Sequence, residues 1–164
     1  MTGGWTIVIR ICDVSDCPEV VDTLVAWNDR YWTELTPEVD LDEWRLFYRE
    51  CIETRGRAIP MTLVGLDDDE VFGAVTIVAV DDIQDFPDYS PWVAGLIVGE
   101  NYRGRDLGLV LMDAALTKAR QLGYQEIFLW TDSRSEWYEA QGWTEICRMR
   151  YSEVEATIMR FPAL

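Results

Sequence analysis

Residues Pro91 to Gly123 read P-W-V-A-G-L-I-V-G-E-N-Y-R-G-R-D-L-G-L-V-L-M-D-A-A-L-T-K-A-R-Q-L-G, and three patterns follow one another within them. Trp92 to Val98 is apolar on both alternating faces, which predicts a central strand covered by helices on each side. Arg103 to Gly108 then supplies two arginines, two glycines and a run of backbone N–H groups. Beyond it, Leu111, Met112, Ala115, Leu116, Ala119 and Leu122 share one side at helical spacing. Asp113, Thr117, Arg120 and Gln121 fall on the other. A strand that feeds a glycine-bearing turn at a helix N-terminus makes an anion site. The unpaired N–H groups and the positive end of the helix dipole both point at the turn. The stretch therefore predicts a bound phosphate.

Outward from it, two β-rich runs precede the strand, Ile59 to Leu66 and Val71 to Val80. Asp67-Asp68-Asp69-Glu70 between them makes a hairpin with an acidic tip. No spaced D-x-D-x-D-G loop is present, so the tip is read as solvated and no metal is expected. Asp81 to Pro91 is a loop rich in Asp and Pro. Toward the N-terminus, Trp5 to Ile11 reads as a first strand. A helix capped by Ser15 or Asp16, with Pro18 in its first turn, runs to about Asp29. Tyr31-Trp32-Thr33-Glu34 reads as a loop, and a second helix follows Thr36-Pro37, ending near Thr54 before Gly56. Toward the C-terminus come a strand at Glu126 to Thr131, a short helix at Ser135 to Gln141 and strands at Trp143 to Tyr151 and Ala156 to Phe161. The order β-α-α-β-β-β-α-β-α-β-β describes a single α/β domain with a mixed sheet, residues 1–164.

Composition bounds the function. Hydrophobic content of 49% with eight tryptophans supplies a core and argues against disorder. The start M-T-G-G-W has neither a basic nor an apolar leader segment, and no apolar run approaches bilayer length. Cys12, Cys17, Cys51 and Cys147 form no C-x-x-C pair, and histidine is absent. Reduced thiols in a cytoplasmic protein are the expectation, and imidazole-based triads are excluded. A net charge of −16 argues against nucleic acid and anionic membranes as partners and permits a cationic substrate. The same charge equally suits solubility or a saline source.

Val98-Gly99-Glu100-Asn101-Tyr102-Arg103-Gly104-Arg105-Asp106-Leu107-Gly108, with the helix after it, resembles the acyl-CoA site of the GNAT superfamily of N-acyltransferases, whose motif is Arg/Gln-x-x-Gly-x-Gly/Ala. Trp137-Tyr138-Glu139-Ala140-Gln141-Gly142-Trp143 is similar to that family's aromatic-Tyr-x-x-x-Gly-aromatic motif, and the element order matches along essentially the whole chain. The resemblance implies a mostly antiparallel mixed sheet of about seven strands flanked by about four helices. Within it, the strand ending at Val98 would splay from Glu126 to Thr131. The pantetheine arm would lie in that gap, pairing with the backbone of Ile97 and Val98 like an added strand. The pyrophosphate would sit on the N–H groups of Arg103, Gly104, Arg105, Asp106, Leu107 and Gly108. It further implies acetyl-CoA as acyl donor, a primary amine as acceptor and direct transfer in a ternary complex. Tyr138 would be the general acid that protonates the departing thiolate.

This chain departs from the family pattern in places. Asp106 stands where the family has a glycine. A carboxylate there repels pyrophosphate and competes for the helix dipole, so weaker CoA affinity is expected, offset by Arg103 and Arg105. The strand from Trp92 to Val98 lacks the glutamate that serves many relatives as base, and the Asn after the following strand is missing too. Glu100, Asp132, Asp85 and Asp88 remain as candidate bases, with none assigned. Trp27, Tyr31, Trp32 and Asp132 are candidate acceptor contacts, their aromatic faces and acid suiting a cation. Packing of the helix pair accounts equally for Trp27 and Trp32. A non-catalytic acyl-CoA sensor and a longer acyl chain remain alternatives. Many relatives dimerise, although no residue pattern here demands it.

Overall fold

The structure, a computed structural model, describes residues 8–162. Strands β1 (Ile9–Asp13), β2 (Met61–Asp67), β3 (Glu70–Val78), β4 (Trp92–Val98), β5 (Ile127–Thr131), β6 (Thr144–Tyr151) and β7 (Val154–Phe161) form one sheet in the order β1-β2-β3-β4-β5-β7-β6. Every neighbouring pair is antiparallel except β4 and β5. Helices α1 (Val21–Trp32), α2 (Leu41–Thr54), α3 (Leu107–Gln121) and α4 (Ser135–Glu139) complete the fold.

Alternation along the strands decides which helices cover which face. Met61 and Leu63 of β2 and Val75 and Ile77 of β3 pack with Leu111, Met112 and Ala115 of α3. Their neighbours Val64, Leu66 and Ala74 point the other way, against Leu24 and Val25 of α1 and Tyr48 and Cys51 of α2. Asn28 of α1 donates to the Tyr48 hydroxyl and ties the two helices together. Gly73 sets a close approach of backbone to backbone. A Cβ there would lie 2.5 Å from the Ile97 carbonyl oxygen and 2.7 Å from Leu111 Cδ1, so β3 can lie this close to β4 and α3 only without a side chain.

Several element limits differ from the sequence expectation. The strand expected from Trp5 lies outside the described residues up to position 7, and β1 continues to Asp13. Two 3₁₀ turns, Val14–Asp16 and Pro18–Val20, replace the expected first turns of α1. The cap is Asp13, which accepts from the Ser15 N–H at 2.9 Å. Tyr31 and Trp32, expected in a loop, form the last turn of α1. Helix α2 starts at Leu41 rather than after Thr36-Pro37. Asp40 accepts from the Glu43 N–H at 2.9 Å while Glu43 accepts from the Asp40 N–H at 3.1 Å. This reciprocal cap satisfies two end groups, which a Thr-Pro start does not.

Strand β4 is open in its middle where a central strand was expected to be covered, while its parting from β5 is the splay expected of the sheet. The strand is buried at Trp92, Val93 and Ile97 but only half-buried from Ala94 to Leu96. Its neighbour has turned away: Trp92 opposite Phe128 is the one register pair joining β4 to β5 among the described residues. The strand is central, as expected, yet its middle is open. Beyond Trp92 the edge facing β5 is unpaired, and the sheet is split there.

Candidate functional site

The turn leading into α3 is shaped by two left-handed residues, Gly104 at φ +75° and Asp106 at φ +57°. Asp106 is the N-cap residue, and its carbonyl accepts from the Leu109 N–H at 3.1 Å. Its side chain caps nothing. The N–H groups of Asp106, Leu107 and Gly108 accordingly find no acceptor among the described residues. A left-handed position explains why a glycine motif sits here, and why an aspartate is among the few replacements tolerated. A Cβ on Gly108 would reach toward Trp137 at 3.6 Å, so this glycine keeps the space between α3 and α4 open.

Arginine contacts hold the turn to α1. The Arg103 Nε donates to the Val98 carbonyl at 3.2 Å and its Nη2 to the Tyr31 hydroxyl at 2.9 Å. Arg30 pairs with Glu100 at 2.8 Å. Exposed pairs of this kind contribute little stability, but this one engages the Glu100 carboxylate away from the cleft. Arg105 stands over the Tyr102 ring at 5.7 Å.

Two clefts open on either side of the split sheet. The first, of about 690 Å³, runs from the α3 turn along β4 and brings together Ile97, Val98, Arg103, Gly104, Asp106, Leu107 and Gly108 with Tyr31, Trp32 and Tyr138. The second, of about 480 Å³, lies between α1, α2 and the ends of β3 to β5, and Trp32 and Asp132 are among its walls. Trp32, Leu96, Arg134 and Tyr138 line both, so the clefts meet at those four side chains. Arg105 and Trp27 line neither. Trp27 packs behind the turn, 3.2 Å from where a Gly99 Cβ would lie. Of the four carboxylates considered as bases, Asp132 alone faces the second cleft.

Tyr138 is fixed edge-on against Trp137 and Trp143, at centroid distances of 4.9 and 5.9 Å. Burial pushes its phenol up to about 12, and the Arg134 charge pulls against this. The hydroxyl is protonated at neutral pH and available as a donor. Asp81 and Asp82, read from the sequence only as part of a loop, also line the second cleft. Burial and then the Asp82 charge push the Asp81 carboxyl up to about 7, while the Asp82 N–H, 2.8 Å away, and Trp130 favour its ionised form. Asp82 is raised by burial and by Glu38. The one sequence signal for this pair was its place just past a strand end, where binding residues concentrate. Among the described residues no cluster of His, Cys, Asp and Glu could hold a metal ion.

A parted sheet with a cradle of free N–H groups beside it is an arrangement that accepts an extended, phosphate-bearing ligand. Comparison with known proteins gives the class. The Acetyltransferase (GNAT) family matches residues 21–143, and the chain belongs to that family. Comparison with curated proteins finds no match. Among solved structures it is similar to Ard1 from Thermoplasma volcanium, at 18% identity and a TM-score of 0.71 over 96% of this chain and 99% of that one. It is similar also to yncA from Salmonella typhimurium, solved with its cofactor acetyl-CoA, at 20% identity and a TM-score of 0.65 over 94% and 92%. A third is an aminoglycoside 6′-N-acetyltransferase complexed with coenzyme A, at 15% identity and a TM-score of 0.70 over 92% and 95%. No helix among the described residues is long and apolar enough to cross a membrane.

Proposed function

We propose that this chain is an N-acetyltransferase that moves an acetyl group from acetyl-CoA to the primary amine of a small cationic molecule or peptide, by direct transfer in a ternary complex. One observation carries the reading: two clefts, one beside the free N–H groups of α3 and one beside acidic and aromatic side chains, meet at Tyr138. A module that only sensed CoA would have no use for the second cleft. The family membership and the solution of yncA with acetyl-CoA support the choice of donor. A cytoplasmic setting, in which the four free thiols stay reduced, belongs to the same proposal.

The chain's own residues fit the donor. The N–H groups of Asp106, Leu107 and Gly108 and the Arg103 guanidinium receive the pyrophosphate, and the unpaired edge of β4 around Ile97 receives an extended amide-bearing arm. When bound, acetyl-CoA supplies an acyl thioester whose sulfur becomes a leaving thiolate. Tyr138 donates a hydrogen bond toward the developing negative charge. A phenol raised to about 12 does not surrender its proton outright to a thiolate of ordinary pKa about 8.5. Its contribution is therefore a strong, positioned donor, with the Arg134 charge assisting. Asp132, which lines the second cleft, is the carboxylate in this proposal that takes up the proton the amine loses.

The experiment is release of free thiol from acetyl-CoA by the purified protein across a panel of amines. Amine-dependent release is expected. Calorimetric binding of acetyl-CoA with no release for any amine would replace this reading with that of a CoA-binding module.

A further inference from the structure

We infer that the acceptor carries a second cationic group, seated at the far end of the second cleft between Asp81 and Asp82, so that the protein selects extended di- and polyamines over monoamines. The inference rests on the acetyltransferase reading and names its substrate class.

The two ends of the cleft differ in charge and lie well apart. Asp81 follows β3 three residues after Val78, which pairs with Trp92 at the start of β4. Tyr138 and Leu96 border the end shared with the first cleft. β4 lines the cleft from Val93 to Leu96, and a strand rises about 3.3 Å per residue, so this wall is on the order of 10 Å long. An amine reacting beside Leu96 leaves a short monoamine out of reach of Asp81. A longer chain with a second ammonium spans the gap.

The far end lacks a cation of its own. None of the ion pairs among the described residues engages Asp81, Asp82 or the neighbouring Glu38. Asp81 is half-buried, and its carboxyl is raised to about 7 by that burial and by Asp82. A desolvated carboxylate on a cavity wall, repelled by its neighbour, gains most from an arriving cation. Trp44 and Trp130 are among the walls of the same cleft and supply aromatic rings that suit a cation. At the other end Arg134 disfavours an ammonium. With Arg134 beside Tyr138 and the aspartate pair at the far end, the placement favours a diamine whose second ammonium lies at Asp81 and Asp82 and whose reacting nitrogen lies at Tyr138. The other groups facing the cleft are Glu43 and Tyr48 from α2 and Asp132 beyond β5, while Tyr151 of β6 feels Asp81, Asp82 and Glu38. Of all these, Arg134 is the single cation.

The test compares kcat/KM for α,ω-diamines of increasing length with length-matched monoalkylamines, in the parent and in Asp81→Asn and Asp82→Asn. The parent should prefer diamines once the second ammonium reaches the aspartates, through a lower KM, and Asp81→Asn should shrink that preference about tenfold, as loss of a charged hydrogen bond does. Equal use of diamine and matched monoamine by the parent overturns the inference. So does a diamine preference that survives both substitutions. If no amine releases thiol, the acetyltransferase reading fails separately. Tryptophan fluorescence then decides: diamine binding to the parent that weakens in Asp81→Asn keeps the cation site, and its absence removes it. The same fluorescence titration on the parent, with diamine against matched monoamine, decides should the variants not fold.

Discussion

Trp92 and Phe128 face each other across the sole register pair between β4 and β5 among the described residues, with ring centroids 5.8 Å apart and inclined at 45°. On its other side Phe128 stacks on Tyr89 at 4.4 Å, nearly parallel, and Tyr89 in turn stacks on Phe86 at 5.1 Å. The loop before β4, rich in Asp and Pro and unremarkable as sequence, thereby clamps the one place where the two halves of the sheet touch. Past that clamp β4 and β5 separate, and both clefts depend on the separation.

Removing the clamp should cost more than an ordinary loop contact. Phe128 is 2% exposed, and Phe128→Ala leaves a cavity in a place with little freedom to collapse. A loss of about 3–5 kcal/mol is expected from urea unfolding, with Phe128→Leu losing less than half of that. Acetyl-CoA affinity should fall in the alanine variant as the separation loses its fixed origin. A stability loss below about 1 kcal/mol would show that the joint is held by something other than this stack.

Replacing Tyr138 by Phe keeps the ring between Trp137 and Trp143 and deletes only the donor. Turnover is expected to drop by about 10²-fold, in the range for loss of a hydrogen-bond donor aimed at the developing charge. Acetyl-CoA affinity by calorimetry and the unfolding midpoint should stay close to the parent. Turnover equal to that of the parent would take Tyr138 out of the mechanism.

Local patterns were legible where one signal had no competitor. The apolar run Trp92 to Val98 and the hairpin around Asp67 to Glu70 fall within a residue or two of β4, β2 and β3. The start of α2 is ambiguous in the sequence because Thr36-Pro37 and Asp40 with Glu43 both look like helix starts, and only the second pair makes reciprocal bonds. Around Tyr31 and Trp32 the sequence carries no clear mark of where α1 ends. In the folded chain the Thr33 N–H still bonds back to Asp29 at 3.2 Å, and Thr36 Oγ1 to Trp32 at 3.0 Å. The turn from Arg103 to Gly108 could be located from its glycines. That Arg103 would reach Tyr31 while Arg105 turned onto Tyr102 depends on side-chain directions that spacing does not encode. The surroundings of Asp81 and Asp82 were illegible for a further reason: the groups around them come from β5, α2 and the α1–α2 connection, all distant in sequence.

Asp106 carries two effects that substitution can separate. Its φ of +57° costs most side chains about 1 kcal/mol, aspartate and asparagine less. Its charge lies beside the N–H groups proposed to hold pyrophosphate. Asp106→Asn keeps the backbone tolerance and removes the charge, so acetyl-CoA should bind several-fold more tightly with stability little changed. Asp106→Gly should match that affinity and relieve the strained position. Asp106→Ala should gain the affinity but lose about 1 kcal/mol of stability. Calorimetry with acetyl-CoA reads the first effect and urea unfolding the second. Equal affinity for the parent, Asn and Gly forms would mean that the carboxylate does not disturb the anion site.

The position of Asp81 makes stability depend on pH in a direction opposite to that of most carboxylates. Its folded-state pKa of about 7 lies above its ordinary value of 3.8. Below about pH 4 it is protonated in both states and costs nothing. Between these values the folded protein holds a proton that the unfolded chain has released, so stability falls as pH rises through the window and levels off above about 7. The two values cap the loss at about 4 kcal/mol, and solvent at the cleft mouth lowers it. The many other acids of this chain titrate too, so the informative quantity is the difference between Asp81→Asn and the parent. The variant should gain on the parent progressively from pH 4 to pH 7 in urea unfolding and hold a constant advantage above that. A diamine added at pH 8 should close the gap by stabilising the parent selectively. A variant-minus-parent difference that stays flat across the whole range would mean that Asp81 ionises in the folded chain as it does in water.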